Sequence, residues 1–217
     1  QDLSGFAGAT STLLEPNSSL GDVSVIENSN GFPFIAYAGD NATDLYALIC
    51  GDANCTATSS VELDDQNGST GNVNAILGDD DLPFVVYSMY DGSAYDLKTV
   101  HCGNVTCSSG NTVTTVADLN VGNWVSNNVS IGSTGFPYIT YADQSNNVIL
   151  LKCGNVSCSS GNTSLTLYTG TSVSTFSADI NSSDILYSAV YNNNSDVVLV
   201  SCSNSACTST STATIVS

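Results

Sequence analysis

The sequence predicts an all-β fold: a small β-propeller of four blades, each built from one repeat of about fifty residues that forms four strands. Three observations carry this. Tyr37, Tyr87, Tyr141 and Tyr191 recur at spacings of 50, 54 and 50 along the 217 residues. Apolar residues alternate or run in short blocks, and Gly, Ser, Thr and Asn interrupt every candidate helical period. One Cys-x4-Cys pair also falls in each repeat.

The segments Gly31-Phe-Pro-Phe-Ile-Ala-Tyr37, Asp81-Leu-Pro-Phe-Val-Val-Tyr87 and Gly135-Phe-Pro-Tyr-Ile-Thr-Tyr141 align without gaps, and Ile185-Leu-Tyr-Ser-Ala-Val-Tyr191 is a degenerate fourth copy. The first repeat resolves into strands over Val23 to Glu27, Pro33 to Ala38, Leu45 to Cys50 and Ser59 to Leu63, separated by Asn/Gly/Asp-rich turns. The second strand of each repeat is apolar on both faces and reads as buried on both. The fourth alternates, as in Thr112-Val-Thr-Thr-Val-Ala117, and reads as an outer strand meeting solvent. A solenoid with fifty-residue rungs and a duplicated sandwich are the structural competitors. The expected division is an N-terminal segment over 1–19 and one propeller over 20–217, with repeats at about 20–68, 69–119, 120–170 and 171–217.

Cysteines five positions apart, flanked by strand patterns, can meet across a hairpin mouth. The expected bridges are Cys50 with Cys55, Cys102 with Cys107, Cys153 with Cys158, and Cys202 with Cys207. Zinc is the rival use of such pairs, but structural zinc prefers closer spacing and a reducing compartment. Four bridges imply an oxidising, extracellular or cell-surface location. Sequons begin at Asn17, Asn41, Asn54, Asn67, Asn104, Asn128, Asn155, Asn162, Asn181 and Asn193, so covalent N-glycans are expected. Composition alone would generate roughly six of the ten. Asn104 and Asn155, however, occupy the same place in two C-G-N-V-T/S-C tips.

Twenty acids stand against two lysines, with no arginine and one histidine, for a formal net charge of −18. Nucleic acid is excluded as a partner, because its recognition needs cations on the phosphates. No apolar window is long enough to insert into a membrane, and the N-terminus lacks a basic region followed by an apolar stretch.

Taken together, G-x-P-x-I-x-Y, then D-L-x4-C, then C-S-S with a Thr-rich strand, resembles the tandem propeller-type repeats of large secreted and surface-anchored microbial proteins. The resemblance covers nearly all of residues 20–217 and implies a scaffold or adhesion role. The Ser-Asn-Gly and Gly-Ser-Thr-Gly turns are faintly similar to the Asp-box turns of sialidases, whose substrate-clamping arginines are absent here.

No catalytic set emerges, so the chain is expected not to be an enzyme. His101 aligns with Lys152 and reads as part of a solvated face. Paired carboxylates suited to glycoside hydrolysis can be drawn from many acids, but none stands out. Asp79-Asp80-Asp81 offers oxygens of the kind calcium favours, without a complete ligand spacing. No other cofactor is implied. Thr10-Ser11-Thr12-Leu13-Leu14 reads as a surplus strand that either closes the ring or adds to the next subunit. The expectation is therefore a glycosylated structural subunit of an extracellular fibre or layer, with copies of itself as partners. The alternative is a carbohydrate-binding or adhesion propeller that stacks Trp124, Tyr90 or Tyr95 on sugars.

Overall fold

Period-two apolar patterning with turn residues every few positions favours short antiparallel strands, and sixteen form among the described residues. The structure is a computed structural model and describes residues 21–39, 42–65, 68–119, 126–143, 145–170, 173–192 and 194–216. Blade 1 comprises β1 (Val23–Glu27), β2 (Pro33–Gly39), β3 (Asp44–Cys50) and β4 (Thr58–Asp64). Blade 2 comprises β5 (Ser69–Leu77), β6 (Pro83–Tyr90), β7 (Tyr95–His101) and β8 (Thr112–Asp118). Blade 3 holds β9 (Asn127–Ile131), β10 (Pro137–Ala142), β11 (Asn147–Lys152) and β12 (Thr163–Thr169). Blade 4 holds β13 (Val173–Ile180), β14 (Leu186–Asn192), β15 (Val197–Cys202) and β16 (Thr210–Val216). Each blade is a four-stranded antiparallel meander in chain order, and the first strands β1, β5, β9 and β13 lie side by side. The propeller of four-stranded, disulfide-bearing repeats is as the sequence predicts.

The β1–β2 turn is built alike in every blade. Gly31, Asp81, Gly135 and Asp184 each take a positive φ. Their amides donate to the carbonyls of Asn28, Gly78, Gly132 and Asn181. Glycine fits this left-handed position without cost, and aspartate is among the side chains that tolerate it.

Three apolar cores bind the blades face to face. Phe34, Ala36 and Leu45 of blade 1 meet Val85, Tyr87, Met89 and Val100 of blade 2. Phe84, Val86 and Leu97 meet Ile139, Tyr141 and Leu151 of blade 3. Val148, Leu150 and Leu167 meet Leu186, Val190 and Val200 of blade 4. Among the described residues, none of these cores joins blade 4 to blade 1.

All four disulfides form between the expected partners. Their setting was not visible in the sequence: those of blades 2, 3 and 4 are buried members of the core shared with the preceding blade. The second cysteine of each pair, Cys55, Cys107, Cys158 and Cys207, has a φ between 49° and 56°. Each donates its amide to the carbonyl three residues back, on Asp52, Asn104, Asn155 and Asn204. The side chains of those residues organise the tip: the Oδ1 of Asn104 accepts from the Thr106 and Ser108 amides at 3.1 and 3.2 Å, and that of Asp52 accepts from the Asn54 and Thr56 amides. The sequons at Asn104 and Asn155 therefore coincide with a position where the turn itself requires Asp or Asn. Asn162 is similarly engaged, accepting from Gly154 and donating to the Cys158 carbonyl. Asn54 and Asn181 are exposed and Asn128 lies on β9. Asn17, Asn41, Asn67, Asn193 and the strand Thr10–Leu14 lie outside the described residues.

The fourth repeat departs from its sequence alignment. Position by position from the cysteine, Lys98 pairs with Tyr87 and Ile149 with Tyr141, but Val198 pairs with Val190. Val190 thus takes the inward place of the aligned tyrosines. A one-residue slip in a strand sends its whole apolar set to the other face. Tyr191 is 40% exposed, against 8% for Tyr141 and full burial for Tyr87.

Candidate functional site

A polar seam runs along the first strands. Asn74 Nδ2 donates to the Asn127 carbonyl and side chain at 3.0 and 2.9 Å, and Asn127 Nδ2 donates to the Asn72 carbonyl at 2.6 Å. The Ala75 amide donates to Ser24 Oγ at 3.0 Å, and the Asn72 amide to Asp22. On the other side of blade 3, Ser130 Oγ donates to Asp179 at 3.2 Å. These groups satisfy one another and hold the blades in register.

The two lysines are likewise engaged at blade junctions. Lys98 forms a buried ion pair with Asp64 of blade 1, and Tyr87 donates its hydroxyl to the same carboxylate. Burial first, and then the Asp64 charge, hold the Tyr87 phenol well above the usual tyrosine range. Lys152 reaches the Ser205 carbonyl of blade 4 and lies 4.9 Å from the centre of the Tyr138 ring. His101 is not on a solvated face: its side chain is 12% exposed, sits 2.8 Å from Asp80 and packs beside Phe84. Every cationic side chain of the sequence is thus partnered, leaving none of them to clamp an anionic ligand.

The junction between blades 2 and 3 is built differently. Counting along the strands, Ala117 stands where Asp64 stands one junction earlier, and Ile149 stands where Lys98 does. A polar cleft of about 310 Å³ lies at this junction, lined by Asp118, Tyr141, Asp143, Ile149, Ser164 and Thr166; clefts of about 330 and 290 Å³ lie at the blade 1–2 and blade 3–4 junctions, but neither gathers two carboxylates. Asp143 is oriented by the amides of Ser145 and Asn147 at 2.8 and 2.9 Å. Burial and then the Asp143 charge raise the Tyr141 phenol, so its hydroxyl stays protonated and can donate.

Asp118 lies directly across from Asp96 on the neighbouring strand. Burial, then the Asp118 and Asp91 charges, push the Asp96 carboxyl upward. A folded-state pKa above the unfolded value contributes stability that is complete below the unfolded value, near 3.9, and disappears as pH rises through the folded one. At neutral pH the pair is therefore a liability. Asp96→Asn is expected to stabilise the fold by roughly 0.2–1 kcal/mol at pH 7 and by nothing below about pH 4, which thermal unfolding across pH checks.

The other expected ligand residues are dispersed. The Asp79 side chain lies against Gly135, Asp80 against His101, and Asp81 occupies the left-handed turn position. No group of three or more metal-ligating side chains forms among the described residues. Tyr90 and Tyr95 pack on each other at 5.1 Å; Tyr95 is buried and Tyr90 half-buried. Trp124 lies outside the described residues.

No protein-family model and no curated protein matches the chain. Solved structures do. An α-L-arabinofuranosidase from Lactobacillus brevis is similar at 10% identity and a TM-score of 0.55, over 90% of this chain and 73% of that one. The catalytic domain of a GH62 α-L-arabinofuranosidase from Coprinopsis cinerea is similar at 15% identity and 0.50, over 84% and 63%. A thermostable family-43 glycoside hydrolase is similar at 9% identity and 0.50, over 85% and 69%. At these identities the likeness is one of fold.

It nevertheless corrects two expectations. A non-catalytic structural subunit of a fibre or surface layer is overturned, because the architecture is shared with carbohydrate-active proteins and the carbohydrate-binding alternative accords with them better. The expectation of no enzymatic activity falls with it. It rested on His101 reading as part of a solvated face, on the absent arginines and on no carboxylate pair standing out, and glycoside hydrolysis needs only a pair of carboxyl groups. Four disulfides agree with a secreted protein. Among the described residues, no helix is long and apolar enough to cross a membrane.

Proposed function

We propose that this chain is a secreted carbohydrate-binding propeller that takes a neutral saccharide in the cleft between blades 2 and 3. The observation that carries the reading is the cleft itself, at the junction where the Asp64–Lys98 pair has no counterpart. Its size is at the small end of ligand pockets, which run from about 300 to 1,000 Å³, so it suits a terminal sugar rather than a buried oligomer. Carboxylates, hydroxyls and the Tyr141 phenol supply acceptors and a donor for sugar hydroxyls, with Ile149 as an apolar wall. A net charge of −18 turns away acidic saccharides.

The glycoside hydrolases that share this fold favour a second reading, hydrolysis at the same cleft. The two carboxyls that line the cleft, Asp118 and Asp143, would be its acid–base pair.

Affinity electrophoresis against neutral polysaccharides, arabinose-containing ones first, tests the binding reading. Retardation of the wild type and about tenfold weaker binding by Asp118→Ala are expected, the loss of one charge-assisted hydrogen bond. Failure of every neutral polysaccharide to retard the protein would overturn it. Release of reducing sugar that Asp118→Asn and Asp143→Asn each abolish would establish the hydrolytic reading.

A further inference from the structure

The one-residue slip in blade 4 has turned two tyrosines onto the sheet face opposite the core shared with blade 3, a face whose edge residue Asp179 is bonded by Ser130 of blade 3. Leu186, Val190, Val198 and Val200 face blade 3. Tyr187 and Tyr191 alternate with them along β14 and are 43% and 40% exposed. The neighbours opposite them are polar on β13 and mixed on β15: Asp179 and Ser201 flank Tyr187, Thr175 and Val197 flank Tyr191, and Ser177 and Leu199 flank the exposed Ala189 between them. Ser201 and Ser211 continue the polar row at 2.7 Å from each other.

We infer that this face is a second, linear binding site for a neutral polysaccharide chain, with Tyr187 and Tyr191 as two stacking platforms. The inference rests on the carbohydrate reading above and adds to it a site on a different blade. Four residues apart on one strand, the rings are carried about 13 Å from each other. That is longer than one sugar ring, so the pair selects a chain over a monosaccharide. Tyrosine combines an apolar ring for the C–H face of a sugar with a hydroxyl for its rim. The named face carries a single carboxylate, Asp179, in a protein of net charge −18. A face so nearly uncharged fits an uncharged partner. A second copy would bring another −18 toward it.

The test compares Tyr187→Ala/Tyr191→Ala, Tyr187→Phe/Tyr191→Phe and Asp118→Ala with the wild type. Each is assayed on an insoluble neutral polysaccharide and on a short oligosaccharide that fills only the cleft. Sedimentation velocity is run in parallel, and thermal unfolding checks each fold. The expected result is at least tenfold weaker polymer binding by the double alanine variant, unchanged oligosaccharide binding, and near-complete retention of polymer binding by the double phenylalanine variant. Polymer binding by wild type that the double alanine variant keeps would overturn the second site and leave the cleft standing. Wild type that binds neither probe would overturn both. A wild-type dimer that the double alanine variant dissociates, with polymer binding unchanged, would assign the face to a second copy and overturn the polysaccharide site.

Discussion

Lys98→Met is expected to destabilise the protein by about 3–5 kcal/mol, because it strands the buried Asp64 carboxylate without its cation. For a domain of this size that lowers the melting temperature by on the order of 10 °C. The double replacement Lys98→Met/Asp64→Leu is expected to recover most of the loss, since removing both charges removes the desolvation cost along with the attraction. Tyr87 then loses its acceptor on Asp64, which leaves a residual deficit of about 1–3 kcal/mol. Thermal or denaturant unfolding of the two variants measures this directly. A single replacement as mild as a surface substitution, under about 0.5 kcal/mol, would mean that the pair does not hold blades 1 and 2 together.

Removing the Cys102–Cys107 bridge by replacing both residues with alanine is expected to cost about 3–4 kcal/mol. Closing so short a loop accounts for about 2 kcal/mol. The remainder is lost packing, since both sulfurs sit in the core between blades 1 and 2. Two controls separate the causes. Cys102→Ala/Cys107→Gly should be less destabilised than the double alanine variant by about 0.5–1 kcal/mol, because Cys107 has a φ of 49° and glycine accepts that conformation freely. Cys50→Ala/Cys55→Ala should cost less, about 2–3 kcal/mol, because Cys50 is buried but Cys55 is half-exposed and blade 1 has no preceding blade core on it among the described residues. Equal losses at the two bridges would refute the packing contribution.

The candidate cleft was illegible before the structure for a specific reason. Its walls come from the end of β8, the β10–β11 hairpin and β12, three segments whose meeting depends on how one blade packs on the next. Asp118 and Asp143 carry no signal in the chain that sets them apart from eighteen other acids. What makes them interesting is the replacement of Asp64 and Lys98 by Ala117 and Ile149, and that replacement is visible only once the strands are in register. Tyr90 and Tyr95 show the converse. The sequence offers both as loop aromatics for a sugar, with ordinary blade packing the preferred use, and the hairpin they flank packs them on each other.

By itself the sequence determined the local physics of this protein. Period-two patterning and turn residues set the strands, the repeat set four like sheets, and cysteines five apart in a hairpin mouth had only each other within reach. The tertiary structure alone decided what depends on the face a residue presents and the blade it meets. It made bridges core members, placed both lysines at junctions, gathered Asp118 and Asp143 into the cleft of one junction, and turned Tyr187 and Tyr191 outward. The reason is geometric: a strand's alternation says which residues share a face, but the inward face is chosen by register and by the neighbouring sheet, and one residue of slip exchanges the two.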